Sequence, residues 1–186
     1  HAFADRGLGY CVLNDVVVAI AELQVSRPDL WVMVIDTDAH QGNGTHALLR
    51  EKPTCFTYSI HVGRNYPAVK EPGDCDVPLD RYVSGETYLD ALQSTLEPVM
   101  HQVEPDLVFW VTGADSHADD RFGQMNLSTE QMTTRDAYVA GLCRRWEVPL
   151  VVVYGGGYNR QPGMTGRLHA NTVQTVQRLF TEAGVG

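Results

Sequence analysis

Residues 36–40 read Asp-Thr-Asp-Ala-His. In an extended segment alternate side chains share a face, so this spacing predicts that Asp36, Asp38 and His40 point the same way. An imidazole with one or two carboxylates suits a hard-to-borderline metal ion. The competing reading is an acidic strand end facing solvent, with His40 merely hydrogen-bonded. Three further segments carry polar or glycine-rich residues just after apolar runs: Ser59 and His61; Gly113, Asp115 and Asp120; and Gly155, Gly156, Gly157 and Tyr158. Asp120 is expected to supply a third ligand, leaving one coordination position open for water as a catalytic metal requires. The Gly-Gly-Gly-Tyr run is either a plain turn or a device that holds a phenol over the metal, where it would donate to a developing oxyanion.

These residues need elements that bring them together. Apolar β-branched runs predict strands at 31–35, 55–60, 107–112 and 150–154. Helical spacing predicts helices at 14–26 and 85–103, with Pro98 bending the second or ending its first part. A turn at 42–45 leads into a short helix through Leu49. Ser128 and Gln131 form a capping-box pattern before a helix running to Trp146, and a last helix is expected over 167–182. Residues 61–84 are rich in Gly, Pro and Asp and read as a long loop. Strand–helix alternation implies a mainly parallel sheet with right-handed crossovers in a three-layer α/β/α arrangement. In such sheets ligands bind outside the carboxyl ends of the strands, where all four polar segments fall.

Composition narrows the function. The 186 residues are 44% hydrophobic and carry a net charge of −9, which fits a globular domain and argues against nucleic-acid binding, since phosphate contacts need clustered Lys and Arg. No apolar run is long enough to span a bilayer. Cys11, Cys55, Cys75 and Cys143 contain no CxxC pair, so a thiolate zinc site is not expected; reduced thiols and a cytoplasmic location are. The whole chain, 1–186, reads as a single, partial domain.

Taken together, the motifs resemble the histone deacetylase family, within the arginase–deacetylase fold. The matching stretches are HAFADRGLGYCVLND at 1–15, VIDTDAHQGNGTH at 34–46, SIH at 59–61, TGADSHADDRFG at 112–123 and GGGYN at 155–159. They occur in family order, and the DRGLGYC and DAHQGNG wording is most similar to the class IV branch. The resemblance implies a zinc-dependent hydrolase that removes an acyl group from acyl-lysine or a related acylated amine. It assigns the zinc to Asp38, His40 and Asp120, and the transition-state tyrosine to Tyr158. His1 matches the general acid/base, the second histidine of a tandem pair, and Asn43 the side chain that orients it. Asp36 matches the partner of the first histidine and, with Ser59, belongs to a structural monovalent-cation site, usually potassium. Gly9, Tyr10 and Tyr66 match the walls of the acyl-lysine channel.

The chain departs from the family pattern in three ways. No histidine precedes His1, the family's N-terminal portion has no counterpart here, and Asp119 stands where glycine is usual. A sheet left bare by that missing portion would favour self-association. Two other readings compete with an active deacylase: a zinc-binding remnant without turnover, and a two-metal, arginase-type ureohydrolase. The single DxDxH run and the GGGY tyrosine favour one zinc over two metals.

Overall fold

The computed structural model describes residues 1–181. The chain forms α1 (Asp15–Ser26), β1 (Val32–Asp36), α2 (Asn43–Leu49), β2 (Cys55–Val62), β3 (Cys75–Leu79), α3 (Gly85–Val103), β4 (Leu107–Val111), α4 (Thr129–Arg145), β5 (Leu150–Val153) and α5 (Met164–Thr181). Every strand pairing is parallel, in the order β3-β2-β1-β4-β5. The central strands are buried on both faces, and their alternation sorts side chains into two cores. Val32, Val34, Leu107 and Phe109 pack with Val16, Ile20 and Leu49 from α1 and α2. Met33, Ile35, Val108 and Trp110 face the other way, onto Leu92, Leu96 and Met100 of α3, Val139 and Leu142 of α4 and Leu168 of α5. The layers are therefore α/β/α, as the alternation predicts.

Local signals fix several element ends. Asn14 accepts from the Val17 amide to start α1, and Ser84 accepts from the Thr87 amide to start α3. The capping box at α4 is present in full, with Ser128 and Gln131 each bonded to the other's backbone. α3 continues through Pro98 rather than ending there. One apolar stripe, Tyr88, Leu92, Leu96 and Met100, packs both halves of the helix on the sheet and holds it together. α5 begins at Met164, earlier than expected; Glu182, the last residue of the predicted helix, lies outside the described residues.

The main correction concerns the predicted loop at 61–84, which contains β3. This strand lies at the sheet edge with side chains that alternate half-buried and exposed, and Pro78 pairs in register with His61. An edge strand tolerates proline because one side of its ladder needs no donor, so its sequence reads as turn-like rather than as an apolar run. All four cysteines are free thiols, and Cys55 and Cys143 are buried. Among the described residues no helix is long and apolar enough to cross a membrane.

Leu96 is fully buried between α3 and the sheet. Leu96→Ala should lower unfolding free energy by about 2–5 kcal/mol. Urea denaturation followed by tryptophan fluorescence checks this, and a loss below about 1 kcal/mol would contradict the packing described.

Candidate metal centre

The chain leaves the sheet at Asp36 and turns at once. The Asp38 N–H donates to Asp36 Oδ1 at 2.9 Å, and the His40 N–H donates to Asp38 Oδ1 at 2.9 Å. These side-chain-to-backbone bonds replace the extended geometry that the alternation predicts. Asp36 consequently stays at the strand end, while Asp38 and His40 are carried over the edge of β4. There they meet Asp115, four residues beyond the end of that strand. Asp115 Oδ2 lies 2.8 Å from His40 Nδ1, which is also 3.1 Å from Asp38 Oδ1. Asp115 Oδ1 accepts from the Ala39 N–H at 2.9 Å. One donor atom from each of Asp38, His40 and Asp115 lies within 4.8 Å of the others.

The third carboxylate of this cluster is Asp115; Asp120, the ligand expected from the sequence, lies outside the group of three. Asp120 is buried, and both its oxygens accept backbone amides, as both oxygens of Asp38 also do. Oδ1 accepts from Phe122 at 2.8 Å and Gly123 at 2.9 Å, and Oδ2 accepts from Tyr158 at 2.6 Å.

Electrostatics inside the cluster identify what it would hold. Burial, followed by repulsion from Asp38, pushes the Asp115 carboxyl up to about 7. Burial opposes the Asp38 charge, yet hydrogen bonds from His40 and Asp115 hold its pKa below the usual carboxylate range. Burial likewise opposes a charged His40, but its bonds to Asp115 and Asp38 prevail and raise it to about 11. Asp36 is pushed up by burial and by Asp38. Buried carboxylates gathered around one imidazole are suited to holding a cation. Two carboxylates and an imidazole fit zinc in a catalytic, three-ligand arrangement.

The supporting loops are built for close approach. The Gly156 N–H donates to Asp38 Oδ2, and a Cβ at Gly156 would lie 2.9 Å from both Asp38 Oδ2 and Asp115 Oδ2. Only glycine lets this backbone reach the carboxylates. The Ser116 hydroxyl donates to the Thr37 carbonyl, and fully buried Arg135 donates to the Gly113 carbonyl at 2.9 Å while bonding Asp136. Neither Arg135 nor Asp136 was singled out from sequence.

Above the cluster the remaining residues line a cavity of about 680 Å³ that includes His1, Gly9, Tyr10, Tyr66, Phe122 and Tyr158. His1 Nδ1 lies 2.8 Å from Asn43 Oδ1, at the first turn of α2. The His1 ring meets Tyr66 edge-on at 5.2 Å and lies 6.4 Å from the His40 ring. Leu8 and Cys11 pair across a two-residue turn whose central residues, Gly9 and Tyr10, both have positive φ, the geometry of a type I′ hairpin. This turn projects Tyr10, 86% exposed, to within 5.6 Å of the Tyr158 ring. Phe122, missed in the sequence, closes the wall 5.5 Å from Tyr158. Ser59 lies outside the cluster; it pairs in register with Asp36, and its hydroxyl is 3.0 Å from His61 Nδ1.

A parallel α/β/α sheet with a two-carboxylate, one-histidine cluster at its carboxyl edge defines the class as an arginase–deacetylase fold. The family model described as histone deacetylase domain matches residues 1–175, and the chain belongs to that family. An uncharacterized protein of Picosynechococcus is 36% identical over 158 residues, covering 85% of this chain and 53% of its own length. The acetoin utilization protein AcuC of Staphylococcus xylosus is 30% identical over 172 residues, covering 86% and 44%. The crystal structure of acetylpolyamine aminohydrolase from Burkholderia pseudomallei superposes with a TM-score of 0.80 at 23% identity, covering 96% of this chain and 54% of that one. The chain thus spans about half the length of the proteins it matches.

Zinc titration separates the two candidate third ligands. Asp38→Ala and His40→Ala should each abolish stoichiometric binding. Loss in Asp120→Ala with retention in Asp115→Ala would keep the ligand that the sequence assigns, and the opposite pair of results would replace it with Asp115.

Proposed function

We propose that this chain carries the catalytic centre of a zinc-dependent amide hydrolase that removes an acyl group from acyl-lysine or a small acylated amine. The observation that carries the reading is the convergence of Asp38, His40 and Asp115 at the base of an aromatic-walled cavity that also holds His1 and Tyr158. Membership of the histone deacetylase domain family supports it, as do relatives named for acetoin utilization and for acetylpolyamine hydrolysis. Held by Asp38, His40 and an aspartate of the loop after β4, zinc would supply Lewis acidity, polarising the amide carbonyl and making water easier to deprotonate.

The chain's own residues would do the rest. Asn43 Oδ1 accepts the Nδ1 proton of His1, which leaves Nε2 as the basic nitrogen. Nε2 takes a proton from the water that attacks the carbonyl carbon. It then gives that proton to the amine nitrogen as the C–N bond breaks, releasing a carboxylate and a free amine. The Tyr158 hydroxyl donates to the oxyanion of the tetrahedral intermediate. Tyr10, Tyr66 and Phe122 enclose the aliphatic stem of the substrate and exclude water from the reacting atoms. One cluster of this type occurs among the described residues, which favours one ion over the pair a ureohydrolase uses; two zinc ions per chain would favour the latter.

Tyr158→Phe removes one hydroxyl from a ring that is 45% exposed. In the complete, zinc-loaded protein it should lower kcat on an acetyl-lysine peptide or acetylpolyamine by roughly 100-fold or more, the scale of one lost oxyanion donor. The melting temperature should barely move. Steady-state kinetics decides the matter, and an unchanged kcat would remove Tyr158 from the reaction.

A further inference from the structure

We infer that Asn65 is a positioning residue: its side-chain amide braces the loop that carries Tyr66 against the loop that carries Phe122, and so fixes the spacing of two aromatic walls around the substrate stem. The inference rests on the proposed function. Asn65 itself lines the cavity. Its Nδ2 donates to the Phe122 carbonyl at 2.7 Å and to the Gly123 carbonyl at 3.3 Å. Its Oδ1 accepts from the Tyr66 N–H at 2.8 Å. One side chain thus holds the main chain of both walls.

No other hydrogen bond joins them. Residues 64–70 follow β2 and residues 121–124 follow β4, strands that lie on opposite sides of β1. Among the described residues no backbone hydrogen bond runs between the two segments, and those from Asn65 are the only side-chain ones. Each segment is seated firmly on its own side. The Lys70 ammonium donates to the Asn65 and Pro67 carbonyls at 2.7 and 2.6 Å, gripping the main chain before and after Tyr66. The Arg81 guanidinium donates to the Arg64 carbonyl at 2.7 Å. Across the cavity, a Cβ at Gly123 would collide with the Asp115 carbonyl, so the backbone beside Phe122 lies directly on the loop after β4. The Tyr66 and Phe122 rings are 38% and 47% exposed and meet His1 and Tyr158 only edge-on. Their spacing is therefore set by the main chain beneath them, and Asn65 is what ties one main chain to the other. A gap of even about 0.5–1 Å between wall and stem forfeits a quarter to a half of the contact energy.

Asn65→Asp keeps an acceptor for the Tyr66 N–H but, once ionised, has no donor for the Phe122 and Gly123 carbonyls. It therefore separates a brace between two loops from a side chain that only shapes its own turn. In the complete, zinc-loaded protein Asn65→Asp should raise KM for an acetyl-lysine peptide roughly 5–10-fold, the scale of one lost hydrogen bond. The kcat should change little, because the walls grip ground state and transition state alike. In a Phe122→Ala background the same substitution should add almost nothing, because the wall it spaces is gone. An unchanged KM, or an equal fold rise in both backgrounds, would overturn the inference. A second measurement needs neither zinc nor turnover. Amide hydrogen exchange should quicken over 121–124 as well as over 64–70 in Asn65→Asp. Quickening confined to 64–70 would overturn the brace. Quickening over both segments, in a complete protein that hydrolyses no acylated amine, would instead sink the hydrolase reading and leave the brace standing. If Asn65→Asp does not fold, Asn65→Ser, whose side chain is too short to span to the far carbonyls, is read the same way.

Discussion

Asp38 and Asp115 place two carboxylates beside one histidine in a buried pocket, and their repulsion is the condition that the surrounding structure has to meet. Two like charges about 4 Å apart repel by roughly 4 kcal/mol even at an effective dielectric of about 20. Burial adds to the difficulty and drives the Asp115 carboxyl up, while the bonds from Asp115 and Asp38 raise His40 against the effect of burial. A divalent cation offsets both terms at once. The backbone contributes as well: the amides of Ala39, His40 and Gly156 each donate to one of these two carboxylates.

The fold makes this arrangement affordable by concentrating it at one edge. Parallel strands end on the same side of the sheet, so β1 and β4 deliver their loops to a common place without any long excursion. Two fully apolar layers hold the strands, and the polar network begins where the apolar packing stops. Thr37 marks that boundary, with its hydroxyl bonded to the Val111 and Thr112 carbonyls and receiving the Trp110 indole N–H. Behind the loops, Arg135 is buried with Asp136 and reaches the Gly113 carbonyl, while Asp136 also accepts from Thr172 of α5. The site is thus tied through α4 and α5 to the main core rather than left to the loops alone.

Much of this was legible in the sequence because it rests on local pattern. β-Branched runs revealed the central strands, the Ser128–Gln131 pair revealed the start of α4, and the DxDxH and GGGY runs revealed which strand ends matter. What sequence could not supply was the partner of each polar group. Asp115 and Asp120 are two buried aspartates in one loop, and only the fold shows which groups each one meets: Asp115 the His40 ring and the Ala39 amide, Asp120 the amides of Phe122, Gly123 and Tyr158. β3 was hidden because an edge strand with an internal proline lacks the apolar run that marks a buried one. The turns at Asp36 and Asp38 were hidden because alternation describes only a chain that stays extended.

The central claim is that Asp38, His40 and an aspartate of the loop after β4 hold one cation. Anomalous diffraction at the zinc edge, from crystals of the zinc-loaded protein, tests it without reference to activity. The account expects a single protein-bound peak, with a carboxylate oxygen of Asp38 and Nδ1 of His40 each about 2.0–2.2 Å away. No peak beside these two residues, or two peaks per chain, would contradict it.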